Sequence, residues 1–135
     1  EFEKDLLANY ELMNQAGIAY TDAPYFVPPY EHYNAEIASW AKSMGIQLIN
    51  FTPGSGTNAD YTTPEMKNYK SSESIYKQVL SKEKEKGLNG YIILIHLGTD
   101  DKRTDKFYKN GMRKMISKLR KEGYVFTGLA EALNR

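Results

Sequence analysis

The chain carries two histidines, His32 and His96, and the second stands where chemistry is easily arranged. It closes the apolar run of "GYIILIHLGTD", residues 90 to 100, just before a glycine and two aspartates. Imidazole gives and takes protons near neutral pH, so a histidine fixed at a strand end can serve as acid or base. It can equally be a structural cap. A second stretch, "NFTPGSGTNADY" (50 to 61), brings Asp60 and Tyr61. A third, "FVPPYEHYN" (26 to 34), is stiffened by Pro28 and Pro29, whose fixed φ lets a turn present backbone groups in a set direction. Plainer readings stand beside each: a Gly-Ser-Gly-Thr-Asn loop as flexible surface, and a proline- and tyrosine-rich loop as a seal over a core. His32 beside Glu31 is a weaker metal-ligand candidate, because adjacent side chains diverge in an extended chain.

The elements that must position these residues follow from periodicity. Leu6, Leu7, Tyr10 and Met13 fall at helical spacing within 3 to 15, with Gly17 as a stop. Asn34 caps a helix that turns Ile37, Trp40, Ala41 and Met44 inward, and Gly45 suits the left-handed position after it. "IQLINF" reads as a short strand. A polar loop from Thr52 to Lys70 leads to a helix capped by Ser71 or Ser72, with Ile75, Val79 and Leu80 on one face and Gly87 at its end. "YIILIH" is apolar at nearly every position, as strands of a parallel sheet covered on both faces are. Phe107, Met112, Met115, Ile116 and Leu119 mark another helix ended by Gly123, followed by a strand "YVFT" and a small helix "GLAEAL". Helices alternating with mostly parallel strands predict an α/β fold of crossover units. In such folds ligands gather at the carboxyl ends of the strands, which is where His96 and the Thr52 loop stand, so the three stretches are expected to share one rim.

The remaining composition sets limits. At 135 residues the chain has the length of about one domain. Hydrophobic residues are 41% and charged residues 26%, ordinary for a folded chain, and no stretch has the roughly 18 apolar residues of a membrane span. There is no cysteine, which excludes disulfides, thiolate metal sites and cysteine nucleophiles. Residues 1 to 60 hold eight acids against two lysines, and 61 to 135 hold sixteen bases against nine acids. The bases sit mainly in two amphipathic stretches, where they solvate helix faces, so no nucleic-acid partner is expected.

With "FVPPYEHYN", "NFTPGSGTNADY" and "ILIHLGTD" in this order, followed by "LRKEGYVFTGLAEAL", the chain resembles the C-terminal part of the polysaccharide deacetylases, carbohydrate esterase family 4, carrying the NodB homology domain. The three stretches match that family's third to fifth motifs. The resemblance implies part of a distorted (β/α) barrel, covering residues 1 to 135 as one domain. It implies metal-assisted hydrolysis of acetyl groups from an acetylated polysaccharide or glycan, with a divalent zinc, cobalt or nickel ion. By motif, His96 resembles the general acid, Asp60 the carboxylate that supports it, and Tyr30 the donor of a backbone N–H to the oxyanion. Leu94 resembles the apolar residue lining the acetyl pocket and Tyr61 the aromatic wall of the groove, with Pro29 in the same substrate-binding turn.

The departures carry equal weight. The family's Asp-Asp motif and its pair of histidines three residues apart have no counterpart here, "TDD" at 99 to 101 being part of the fifth-motif loop. Val27 stands where an arginine is usual. Metal ligands are therefore expected from outside this chain: from an N-terminal part of the same protein or from a second copy, unless the chain is a shortened, inactive relative. The resemblance also implies a bacterial periplasmic, cell-surface or secreted setting. A non-catalytic carbohydrate-binding or structural relative, using Tyr25, Tyr30, Tyr33 and Tyr61 as stacking surfaces, is the alternative.

Overall fold

The apolar spacing near the start closes into helix α1 (Phe2–Gln15), which buries Leu6 and Tyr10 and packs Met13 against the same cluster. The structure, a computed structural model, describes residues 1–133 and divides into two units, Glu1–Asn50 and Phe51–Arg135. Leu7, expected to face inward with Leu6, is instead half exposed at 51%. The buried stripe of α1 is narrow, and Leu7 lies one position round the helix from it.

In the first unit, Asn34 caps α2 (Ala35–Ser43) by accepting a hydrogen bond from Ile37 N–H at 2.8 Å. Gly45, at φ +73, makes the left-handed turn after it. The chain then enters β2 (Gln47–Leu48), which pairs in parallel with β1 (Tyr25–Phe26) in the register Tyr25 to Gln47 and Phe26 to Leu48. β1 lies inside the stretch expected to be a loop, and the "IQLINF" strand is shorter than its apolar run. Ala41 and Ile46 join Leu6 and Tyr10 in a core flanked by Phe2, Phe26 and Leu48.

In the second unit, Ser71 Oγ accepts from Ser74 N–H at 3.2 Å and opens α3 (Ser72–Lys86), with Gly87 at φ +73 closing it. α4 (Gly111–Lys121) and the short α5 (Leu129–Leu133) complete the helices. Ile75 and Val79 of α3 meet Met115 and Leu119 of α4, with Leu88 and Phe107, in a core whose members are at most 6% exposed. Each such side chain stabilises the fold by about 1.5–3 kcal/mol.

Two expected strands do not form among the described residues. Residues 91–96 carry no regular ladder: Thr52 N–H donates to the Ile92 carbonyl at 2.9 Å, but Ile92 N–H goes to the Thr52 hydroxyl at 3.0 Å. A side chain thus fills the place of a ladder carbonyl. Alternation survives nonetheless, since Tyr91, Ile93 and Ile95 pack against the α3–α4 core while Ile92, Leu94 and His96 are the intervening residues. Residues 124–127 are likewise unpaired; Tyr124 anchors them by accepting Leu88 N–H at 2.9 Å, but Val125 is 83% exposed. The chain is α/β in content, helices with one parallel pair, and no barrel closes among the described residues. No described helix is long and apolar enough to cross a membrane.

Candidate functional site

The Thr52–Lys70 loop, polar enough to pass for flexible surface, is folded inward. Ser55, Thr57, Asp60, Thr62 and Thr63 are all at most 3% exposed. Buried hydroxyls need partners, and here the loop supplies its own. Ser55 Oγ and Thr57 Oγ1 lie 3.1 Å apart, Thr62 Oγ1 donates to the Ala59 carbonyl at 2.7 Å, and Lys70 N–H donates to Thr62 Oγ1 at 3.2 Å. Gly56 takes φ +75, and a Cβ there would meet the Gln78 side chain at 2.4 Å. The turn from Thr57 to Thr62 is thereby fixed, and it carries Asp60 and Tyr61.

Asp60 is 1% exposed and points both carboxylate oxygens at His96. Oδ2 accepts the backbone N–H at 2.9 Å and Oδ1 meets ring Nδ1 at 2.6 Å. With Nδ1 on a carboxylate, the neutral ring carries its proton there, and Nε2 is the nitrogen left for proton transfer. The His96 side chain is 34% exposed, so the pair is buried on the aspartate side and open on the imidazole side. Tyr61, 44% exposed, sets its ring edge-on to the imidazole with centroids 5.4 Å apart. Leu94, half-buried, is two residues from His96 in the alternating segment and shares its face.

Downstream, the 99–106 turn fastens this arrangement to its surroundings. Asp100 Oδ1 accepts Lys102 N–H at 2.8 Å, and Lys106 Nζ donates to the carbonyls of Thr99 and Asp100. "TDD" is therefore engaged in turn structure. Asp105 Oδ2 accepts Ser72 N–H at the start of α3, and Arg103, fully buried, donates to the carbonyls of Thr62 and Lys70. Sequence reasoning missed both Arg103 and Asp105. Their charge, in a polar stretch without periodicity, reads as solvated surface.

In the first unit, the Pro-Pro-Tyr turn is tight: Glu31 N–H returns to the Pro28 carbonyl at 2.9 Å and His32 N–H to Pro29 at 3.2 Å. Tyr30 and Glu31 both hold left-handed backbone, at φ 54 and 57, a strain of about 1–2 kcal/mol per residue. Asn50 Nδ2 steadies the turn from the Glu31 carbonyl at 3.0 Å. Pro29 and His32 are exposed, and the Tyr30 side chain is 85% exposed. Of the expected site, the structure brings Asp60, Tyr61, Leu94 and His96 together in the second unit, and Pro29 and Tyr30 belong to the first.

Among the described residues no group of three His, Cys, Asp or Glu side chains is placed to hold a metal ion. The donors of the described residues do not by themselves fit the divalent ion the resemblance implies. No family model, curated protein or solved structure matches the chain.

Proposed function

We propose that this chain is the acid-bearing portion of a metal-dependent polysaccharide deacetylase of carbohydrate esterase family 4, inactive by itself. The observation that carries the reading is the grip of Asp60 on both the backbone N–H and ring Nδ1 of His96. A histidine that only caps a strand has no need of a buried carboxylate on Nδ1 beneath a side chain that is one-third exposed.

In hydrolysis of an acetylated amino sugar, water oxygen adds to the acetyl carbonyl, the carbon–nitrogen bond breaks, and acetate and a free amine leave. Doubly protonated, His96 gives its Nε2 proton to the departing nitrogen and is left neutral with its remaining proton on Nδ1, where Asp60 holds the ring. Leu94 lines the acetyl pocket, and Tyr61 walls the sugar groove. Metal and catalytic base come from residues outside this chain, in an N-terminal part or a second copy.

The fold reading is part of a distorted (β/α) barrel. It is supported by the alternation through residues 91–96 and by the exposure of Val125 and Phe126 in an apolar segment that pairs with no strand among the described residues. A bacterial periplasmic, cell-surface or secreted setting follows from a polymer substrate too large to enter a cell.

A carbohydrate-binding relative is the second reading, favoured by one observation: Tyr30 and Tyr33, at 85% and 55% exposure, offer stacking surfaces with no metal cluster among the described residues. Acetate release from acetylated chito-oligosaccharide or peptidoglycan separates the two. The isolated chain with added zinc or cobalt releases none. A protein carrying this chain together with an upstream Asp-Asp and a histidine pair releases acetate, and one that binds the polymer without releasing acetate belongs to the second reading.

A further inference from the structure

Among the described residues Arg103 is the largest fully buried side chain, at 0% exposure. Its guanidinium has no carboxylate partner among the described residues. It donates through Nη1 to the Thr62 carbonyl, with Thr62 Oγ1 at 3.4 Å, and through Nη2 to the Lys70 carbonyl at 3.0 Å, with the Tyr69 ring 5.4 Å from Cζ. Burying a guanidinium against neutral oxygens alone is unfavourable compared with an apolar side chain of similar volume. A core that needed only filling is better served by methionine or leucine.

What the arginine does that those cannot is join two points of one loop. Thr62 and Lys70 are eight residues apart, and the planar fork reaches both carbonyls, while Lys70 N–H closes back on Thr62 Oγ1 at 3.2 Å. Asp60 lies two residues before Thr62, and His96 lies seven before Arg103. The same two segments are therefore tied twice, once by Asp60 with His96 and once by Thr62 with Arg103.

We infer that Arg103 is a positioning residue: it locks the 60–70 loop so that the Asp60 carboxylate stays on His96. Its use in proton transfer rests on the deacetylase reading, but the lock itself is a property of this chain and is read without turnover.

The test is amide hydrogen exchange of the full chain in Arg103→Met, Arg103→Lys and Thr62→Val. The His96 N–H reports directly on Asp60, since that carboxylate is its acceptor. In Arg103→Met the His96 amide exchanges about tenfold faster or more, while Val79 and Leu119 amides keep their protection. Lysine, reaching one carbonyl, gives an intermediate rate. Thr62→Val keeps the carbonyl that Arg103 reaches and removes only the hydroxyl bonded to the Ala59 carbonyl and Lys70 N–H. His96 therefore accelerates less than in Arg103→Met, and an equal or larger acceleration overturns the inference. Arg103→Lys carries the test if Arg103→Met does not fold. A His96 amide as protected as in the parent chain, or an equal acceleration of every core amide, overturns the inference. Absence of acetate release would instead count against the functional reading and leave this one standing.

Discussion

Both carboxylate oxygens of Asp60 are committed to His96, one to its backbone N–H at 2.9 Å and one to its ring at 2.6 Å. One side chain thus sets the residue's backbone position and its ring orientation together. Replacing Asp60 by alanine leaves the His96 N–H without an acceptor in a half-buried setting, at a cost of about 1–3 kcal/mol. The expected outcome is a lower urea midpoint and loss of the Nδ1–H tautomer in nitrogen-15 spectra of His96. A variant that keeps the parent's tautomer shows that the ring is held by something other than this carboxylate.

If His96 is the acid, its loss damages chemistry more than folding, because its side chain is one-third exposed and contributes little to the core. In a protein that carries this chain and releases acetate, His96→Ala lowers the rate by about 10² or more. The chain still folds, with stability to urea lower by about 1–3 kcal/mol because the buried Asp60 Oδ1 loses its ring partner. An unchanged rate removes His96 from the proton-transfer step.

How much of this was legible in the sequence depends on how local the signal is. Helix boundaries were readable because caps act within four residues: Asn34 and Ser71 accept the expected N–H groups, and Gly45, Gly87 and Gly123 hold the positive φ that ends each helix. Of the expected strands only Gln47–Leu48, inside "IQLINF", forms, because extended chain becomes strand only where a neighbour supplies a ladder. Residues 91–96 keep their alternation but meet a threonine hydroxyl at Ile92, and 124–127 meet no ladder. β1 was hidden in a proline-rich stretch because its pairing with Gln47 and Leu48 depends on a distant segment. The juxtaposition of Asp60 with His96 came from motif resemblance rather than spacing, since 36 residues separate them. Thr57, Thr62 and Arg103 were illegible for another reason. Composition counts polar residues as surface, and only coordinates show that these satisfy one another inside.

Gly111 offers a reversal of the usual helix rule. Glycine to alanine at an exposed helix position stabilises by up to about 1 kcal/mol. At Gly111, though, a Cβ would stand 2.3 Å from Cδ2 and 2.4 Å from Cε2 of Phe107. Phe107 is 1% exposed and packed in the α3–α4 core, so its ring cannot swing into solvent without opening that core. Gly111→Ala is therefore expected to destabilise by about 1–3 kcal/mol, the range for overpacking. Chemical denaturation measures it, and pairing the change with Phe107→Leu recovers part of the loss. A midpoint equal to or above the parent's refutes the close packing at this helix start.

Tyr10 gives the first unit a dependence on alkaline pH. Its hydroxyl donates to the Ala23 carbonyl at 2.5 Å, its ring lies 4.4 Å from that of Tyr20, and its side chain is buried. Burial pushes its phenol above the ordinary value, and repulsion from a Tyr20 phenolate adds to the shift. The folded state therefore holds this proton more tightly than the unfolded chain does. The resulting stability is fully present below the unfolded phenol value of about 10 and is lost as pH rises through the higher folded value. Tyr10→Phe removes the hydrogen bond and costs about 1 kcal/mol at pH 7.5, but it also removes the titrating group. The gap between variant and parent accordingly narrows above pH 10. Urea denaturation followed by near-ultraviolet circular dichroism at both pH values reads this out. A gap that widens with pH means that the phenolate is better accommodated in the folded unit than in the unfolded chain.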